Sequence, residues 1–193
     1  MIEFKAFPKM PRLNREIVIT EKIDGTNASI CITENGEFLA GSRNRWITPE
    51  NDNYGFAKWA YENKEELLKL GVGHHFGEWW GQGIQRKYNI GEKRFSLFNV
   101  SKWEDDLVRP ACCSVVPILY KGIFDGEAIN RALDLLRNND SYASPGFTNP
   151  EGIVIYHTAS NGYFKVTLDN DGVPKSWNKR EGYYETMANT ERV

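Results

Sequence analysis

Lys22 ends the alternating apolar run of "VITEKIDGTNASICIT", residues 18–33, and is followed at once by Ile-Asp-Gly-Thr-Asn. A lysine on the buried side of a sheet is costly unless an anion or a reactive partner meets it, so the position reads either as a solvated strand end or as a nucleophile. Taken alone, Lys-x-Asp-Gly decides nothing, because a strand end running into an Asp-Gly turn has the same spelling. Glu78 is harder to dismiss. It lies between Phe76 and the Trp79-Trp80 pair in "FGEWWG", a segment suited to burial, where an unpartnered carboxylate would be expensive. Glu151 opens the apolar run "EGIVIY", and Lys165 sits in "YFKVT" with Phe164 and Val166 directed to the opposite face. Each of these has an ordinary reading too, as an edge carboxylate and a snorkelling lysine.

The elements that must position these side chains follow from periodicity. Alternation predicts strands at "EIVITEK" and "NASICIT", the second joined to a third through the Asn35-Gly36 turn. Phe56, Trp59, Ala60, Leu67 and Leu70 predict one helix over residues 54–70, with Gly71 as its stop. Strands are expected at "HHFGEWWG", "RFSLFNV" and "CCSVVPILY", the last at an edge or bulged because of Pro117. Asp125 can cap a helix whose apolar face is Ala128, Ile129, Ala132, Leu133 and Leu136. Two final strands, "EGIVIYH" and "GYFKVTL", meet at a Ser160-Asn161-Gly162 turn. Strands outnumber helices and hairpins dominate, which argues for an α+β domain of mainly antiparallel sheets flanked by helices.

The chain of 193 residues supports one well-buried domain, and 40% apolar with 26% charged residues is ordinary for a soluble globular protein. No apolar run approaches the roughly 20 residues of a membrane span. The start "MIEFKAFPKMPRLNRE" lacks the layout of a secretory signal, so a cytoplasmic protein without a membrane partner is expected. Cys31, Cys112 and Cys113 have no spacing that suggests a disulfide framework or metal knot. A net charge of -2 gives no global attraction to nucleic acid, so a polyanion would need a local basic patch. His74, His75 and His157 show no helical metal-binding pair and read as structural or surface residues.

Taken in order, "EKIDGTN", Arg43 in "GSRNRW", Glu78 in "FGEWWG", Phe98 in "FSLFNV", Glu151 in "EGIVIY" and Lys165 in "YFKVT" resemble the motifs of the covalent nucleotidyltransferase superfamily. The likeness spans residues 18–168 and is greatest to ATP-dependent RNA ligases of the phage nick-sealing type, which implies a ligase-type, ATP-grasp-like domain over residues 1–175. It further implies that Lys22 attacks the α-phosphorus of ATP to give a lysyl-adenylate, and that Lys165 contacts the α-phosphate. A lysine amine attacks only when unprotonated, and cationic neighbours with partial burial would favour that form. By the same resemblance Glu151 ligates Mg²⁺ or Mn²⁺, Glu78 accepts from the ribose, and Phe98 stacks on adenine. Arg43, or else nearby Arg45, reaches the ribose and phosphate. Asp24 and Asn27 order the first motif, while Glu21, through its backbone, and Ile23 line the nucleotide.

The implied substrates are RNA ends or nicked duplex, in the host cytoplasm if the chain is phage-encoded. Two departures stand out. Many members of the superfamily end in Lys-x-Lys, whereas Thr167 occupies the third position here, leaving Lys175 as a substitute cation. Only a short polar tail, residues 176–193, follows, without the OB-fold or helical domain of larger ligases, which a separate subunit could supply. Self-adenylylation is therefore the firmer expectation. A GTP-dependent capping-type guanylyltransferase and an inactive nucleotide- or RNA-binding module are the competing readings.

Overall fold

The computed structural model describes residues 2–169. Lys175, the boundary at 175 and the polar tail lie outside the described residues. The strand that carries Lys22, β1 (Glu16–Lys22), is buried from Ile17 through Glu21. It lies inside a four-stranded antiparallel sheet with β8 (Ile118–Ile123) on one side and β9 (Gly152–His157) on the other, β10 (Gly162–Thr167) forming the edge beyond β9. One face of this sheet is apolar because odd-numbered positions of β1 alternate with even ones. Ile17, Ile19, Ile153 and Ile155 pack there against Ala128, Ala132, Leu133 and Leu136 of α4 (Gly126–Asn138). That helix begins as expected at Asp125, whose Oδ1 accepts from the Glu127 amide at 3.0 Å.

The second sheet comprises β2 (Thr26–Ile32), β3 (Phe38–Ser42), β4 (Trp46–Ile47), β5 (Gly73–Gly81), β6 (Lys93–Leu97) and β7 (Cys113–Val115), in the order β4-β3-β2-β5-β6-β7. All its pairings are antiparallel except β6 with β7. Phe56, Ala57 and Ala60 of α1 (Phe56–Glu62) and Leu67 of α2 (Lys64–Leu67) cover one face, against Ile30, Trp79, Phe95 and Leu97. A third apolar cluster, with Val18, Ile23, Trp80, Tyr88, Val116 and Phe147, joins the two sheets. Both tryptophans of "FGEWWG" are thus core residues.

Three elements differ from the sequence expectation. The single helix over 54–70 is interrupted at Asn63, whose side-chain Nδ2 and backbone amide both donate to the Trp59 carbonyl, and it finishes as a 3-10 turn at Leu68–Leu70. The stretch "CCSVVPILY" is two strands in two sheets. Pro117 lacks a ladder donor, and the chain changes sheets there, its carbonyl accepting from the Glu21 amide at 2.9 Å. The strand of "RFSLFNV" stops at Leu97, because Asn99 caps a short helix, α3 (Val100–Trp103), by accepting from the Lys102 amide. Asn35-Gly36 and Asn161 form the expected turns, with positive φ at Gly36 and Asn161. No helix among the described residues is long and apolar enough to cross a membrane.

The α4 face is the seal beneath β1. Leu136→Ala should lower the unfolding free energy by about 2–5 kcal/mol, read from urea denaturation, by removing a buried side chain that cannot be replaced by collapse. A loss below about 0.5 kcal/mol, typical of a surface change, would mean that α4 is not part of the cooperative core.

Candidate active site

The register fixes which residues share a face, because residues directly opposed in a ladder point the same way. Lys22 opposes Gly152, which opposes Thr167, and Thr20 opposes Val154, which opposes Lys165. Lys22 and Lys165 therefore lie on one face of the first sheet, the face away from α4. They are two strands and two residues apart. Glu21, of opposite parity, points to the other side.

Lys22 Nζ lies 2.5 Å from Glu151 Oε2, a pair with side chains 23% and 17% exposed, so solvent still reaches it. Glu151 directly precedes β9, and its carbonyl accepts from the Leu168 amide, which ties the end of β10 to the same corner. Between Lys22 and β2 the chain turns through Ile23-Asp24-Gly25. Ile23 is buried in the cluster between the sheets. Gly25 packs so closely on Trp79 and Trp80 that a Cβ there would collide with them.

Glu78 closes the turn from above. Its Oε1 accepts from the Gly25 amide at 3.0 Å and its Oε2 from Asn27 Nδ2 at 3.0 Å. This is the partner that the sequence demanded for a carboxylate in an apolar segment. Burial pushes Glu78 up to about 7; the two hydrogen bonds and Lys22 act against that rise, and Glu151 adds to it. Glu21 is buried on the opposite face, where its carboxylate accepts from Ser141 Oγ at 2.6 Å and from the Ala143 amide at 2.9 Å. Burial raises its pKa as well. That carboxylate is committed to the loop before Glu151 and is unavailable to a ligand in the cleft.

Asp24 is held by two residues that the sequence reading passed over. Its amide donates to Tyr88 Oη at 2.7 Å, and its Oδ2 accepts from Arg86 Nε at 3.1 Å. Arg86 also donates to the carbonyl and Oδ1 of Asn149, at 3.0 and 2.8 Å, so one guanidinium joins the turn after Lys22 to the segment before Glu151. Tyr88 is fully buried, and desolvation raises its pKa. The loop that delivers them is tight: Gln85, Lys87, Tyr88 and Asn89 all have positive φ. An arginine and a tyrosine between Gly83 and Gly91 were the available signal, without a spacing that points to Asp24.

Phe98 is half-buried beside the cluster containing Val18, one residue past β6. Arg43 is exposed just after β3. Arg45 is engaged elsewhere, donating to the carbonyls of Asn51 and Asp52. The histidines serve local structure: His74 bonds Ser29, His75 the Gly71 carbonyl and His157 the Leu13 carbonyl. All three cysteines are free. Among the described residues no three His, Cys, Asp or Glu side chains gather as a metal site. A single carboxylate still suits Mg²⁺ or Mn²⁺, which use one or two carboxylates together with substrate phosphates, and the hard oxygens of Glu151 fit that pattern.

Two sheets joined by an apolar cluster, with a partly exposed lysine at the end of β1, have the fold of a ligase-type nucleotidyltransferase domain. The chain belongs to the RNA ligase family, whose model matches residues 15–184. Structures of Naegleria gruberi RNA ligase are similar. A variant with ATP and Mn aligns at TM-score 0.57 and 19% identity, covering 80% of this chain and 50% of that one. A second variant with ATP and Mn gives 0.58 and 20%, covering 81% and 51%, and the ligase with PPi gives 0.57 and 21%, covering 80% and 50%. The chain thus spans about half the length of these structures. No curated protein matches the sequence.

Glu78 provides a direct check of the site's electrostatics. Its folded pKa, about 7, exceeds the ordinary value of 4.5, so the fold favours the neutral acid. Its contribution to stability is therefore fully present below pH 4.5, declines as pH rises and is lost above about 7. A carbon-13 NMR titration of the Glu78 carboxyl should show a midpoint near 7. An unshifted midpoint would refute the burial argument.

Proposed function

We infer that this domain is the adenylyltransferase unit of an ATP-dependent RNA ligase. The observation that carries this reading is Lys22, in Lys-x-Asp-Gly-Thr-Asn, ion-paired with Glu151 at 2.5 Å and sharing a sheet face with Lys165, within a chain of the RNA ligase family. In the first step the Nζ lone pair of Lys22 forms a P–N bond to the α-phosphorus of ATP. The bond from that phosphorus to the bridging oxygen breaks, pyrophosphate leaves, and the amine proton passes to solvent. In the second step a 5′-phosphate oxygen of RNA displaces Lys22 from phosphorus and takes AMP. In the third, a 3′-hydroxyl attacks that 5′-phosphorus and expels AMP.

Each residue contributes by position. The nucleophile is the free amine, so the Lys22–Glu151 contact parts before attack. Glu151 would hold a divalent cation, which neutralises triphosphate charge when bound. Lys165, on the same face, offsets charge that builds on the α-phosphate oxygens. Asp24, clamped by Arg86, and Asn27, tied to Glu78, keep the turn after Lys22 rigid, which limits the geometries open to the nucleophile. Glu78 retains lone pairs for a ribose hydroxyl, Phe98 offers a face for adenine, and Arg43 is free to swing to the phosphates. Glu21 and Ile23 contribute backbone, since the Glu21 carboxylate and the Ile23 side chain are buried elsewhere. A duplex-gripping unit would complete nick sealing.

Incubation with α-labelled ATP and Mg²⁺ or Mn²⁺ should place acid-labile label on the protein, and Lys22→Ala should abolish it. Glu151→Ala should reduce labelling by at least about tenfold through loss of a charge partner on both lysine and cation. Labelling by GTP instead would select the capping-type reaction, and no labelling with either nucleotide would select the binding module.

A further inference from the structure

The sheet face that carries Lys22 and Lys165 continues past them. Val18 opposes Tyr156, which opposes Tyr163, and on the other side Val18 opposes Lys121. These four residues form a row across the first sheet, with Lys165 in the next row but one along β10. Tyr163 is 65% exposed, and its ring centroid lies 4.8 Å from that of Tyr156 at an interplanar angle of 37°. Tyr156 is fixed from below, its Oη donating to Asn161 Oδ1 at 2.8 Å in the turn that starts β10. The pair is thus an aromatic surface held in place before anything binds, with one ring turned outward.

Lysines outnumber carboxylates on this face, and Lys165, two residues along β10 from Tyr163, is exposed. Lys22, Lys121 and Lys165 are its cations within these four strands, and the carboxylate on it is Glu16, at the first residue of β1. A chain with no global positive charge needs such a local patch to hold a polyanion. An aromatic face beside a lysine suits an unpaired nucleotide, because every base has a π face and the backbone is anionic. From the strand spacing and rise, Tyr163 lies about 16 Å from Lys22, or about four to five stacked nucleotides.

We propose that Tyr163, supported by Tyr156 and with Lys165 two residues along its strand, is a stacking platform for an unpaired base of the RNA strand whose end reaches Lys22. This rests on the ligase reading above and adds to it a substrate subsite remote from the nucleotide. Tyr163 stands outside the reacting centre and covers no core, so its substitution separates RNA grip from chemistry.

The test uses the full chain and a short 5′-phosphorylated, 3′-fluorescent single-stranded RNA, with affinity read by fluorescence anisotropy in the absence of ATP. Tyr163→Ala should weaken binding about tenfold, and Tyr163→Trp, which keeps a stacking face, should bind within about twofold of the unaltered protein. Self-labelling by ATP should be the same in all three. Equal RNA affinity for Tyr163→Ala, a loss as large for Tyr163→Trp, or no RNA binding by the unaltered protein would overturn the platform. A protein that binds RNA in this pattern yet takes no label from ATP would refute the ligase reading and leave the platform standing.

Discussion

The antiparallel pairing of β1 with β9 is the constraint on which the rest of the molecule depends. It sets Lys22 opposite Gly152 and brings Glu151, 129 residues away in sequence, to 2.5 Å from the lysine amine. The same ladder extended to β10 puts Lys165 on that face. Gly152 is required at this crossing, because its backbone has φ 150° and a Cβ would collide with the Val166 carbonyl. The Glu-Gly pair of "EGIVIY" is thus one device: the glycine lets three strands close up, and the glutamate before it meets the lysine.

Around that crossing the fold spends its buried polar groups on rigidity. Glu78 and Glu21 are both nearly inaccessible, and each carboxylate accepts two hydrogen bonds from a neighbouring segment. Glu78 fixes the turn that follows Lys22, and Glu21 fixes the loop that leads to Glu151. Arg86 spans the two. No buried side-chain polar atom lacks a partner among the described residues. The corner around Lys22 is thus held by hydrogen bonds from three separate segments.

Much of this was legible in the sequence, for reasons that differ by residue. Alternation exposed β1, β2, β9 and β10, and motif order exposed Lys22, Glu78, Glu151 and Lys165, since strand periodicity and short-range chemistry are local signals. The partner of Glu78 was predictable in kind, because a carboxylate in an apolar segment must be satisfied, but not in identity. Arg86 and Tyr88 were invisible because their roles depend on a loop of positive-φ residues that carries them more than 60 residues back along the chain, and no periodicity encodes such a path. The switch of sheets at Pro117 was half legible. Proline excluded a continuous central strand, while the destination of the chain was a tertiary matter.

Glu21 and Lys22 are neighbours in one strand yet serve opposite sides of the sheet, the acid anchoring the Ser141–Ala143 loop and the amine meeting Glu151. Inserting or deleting one residue in β1 would exchange them, burying an amine among isoleucines and turning a carboxylate toward Glu151. A change of length in this segment therefore disturbs both faces of the sheet at once, whereas a change of one side chain disturbs only the face it points to.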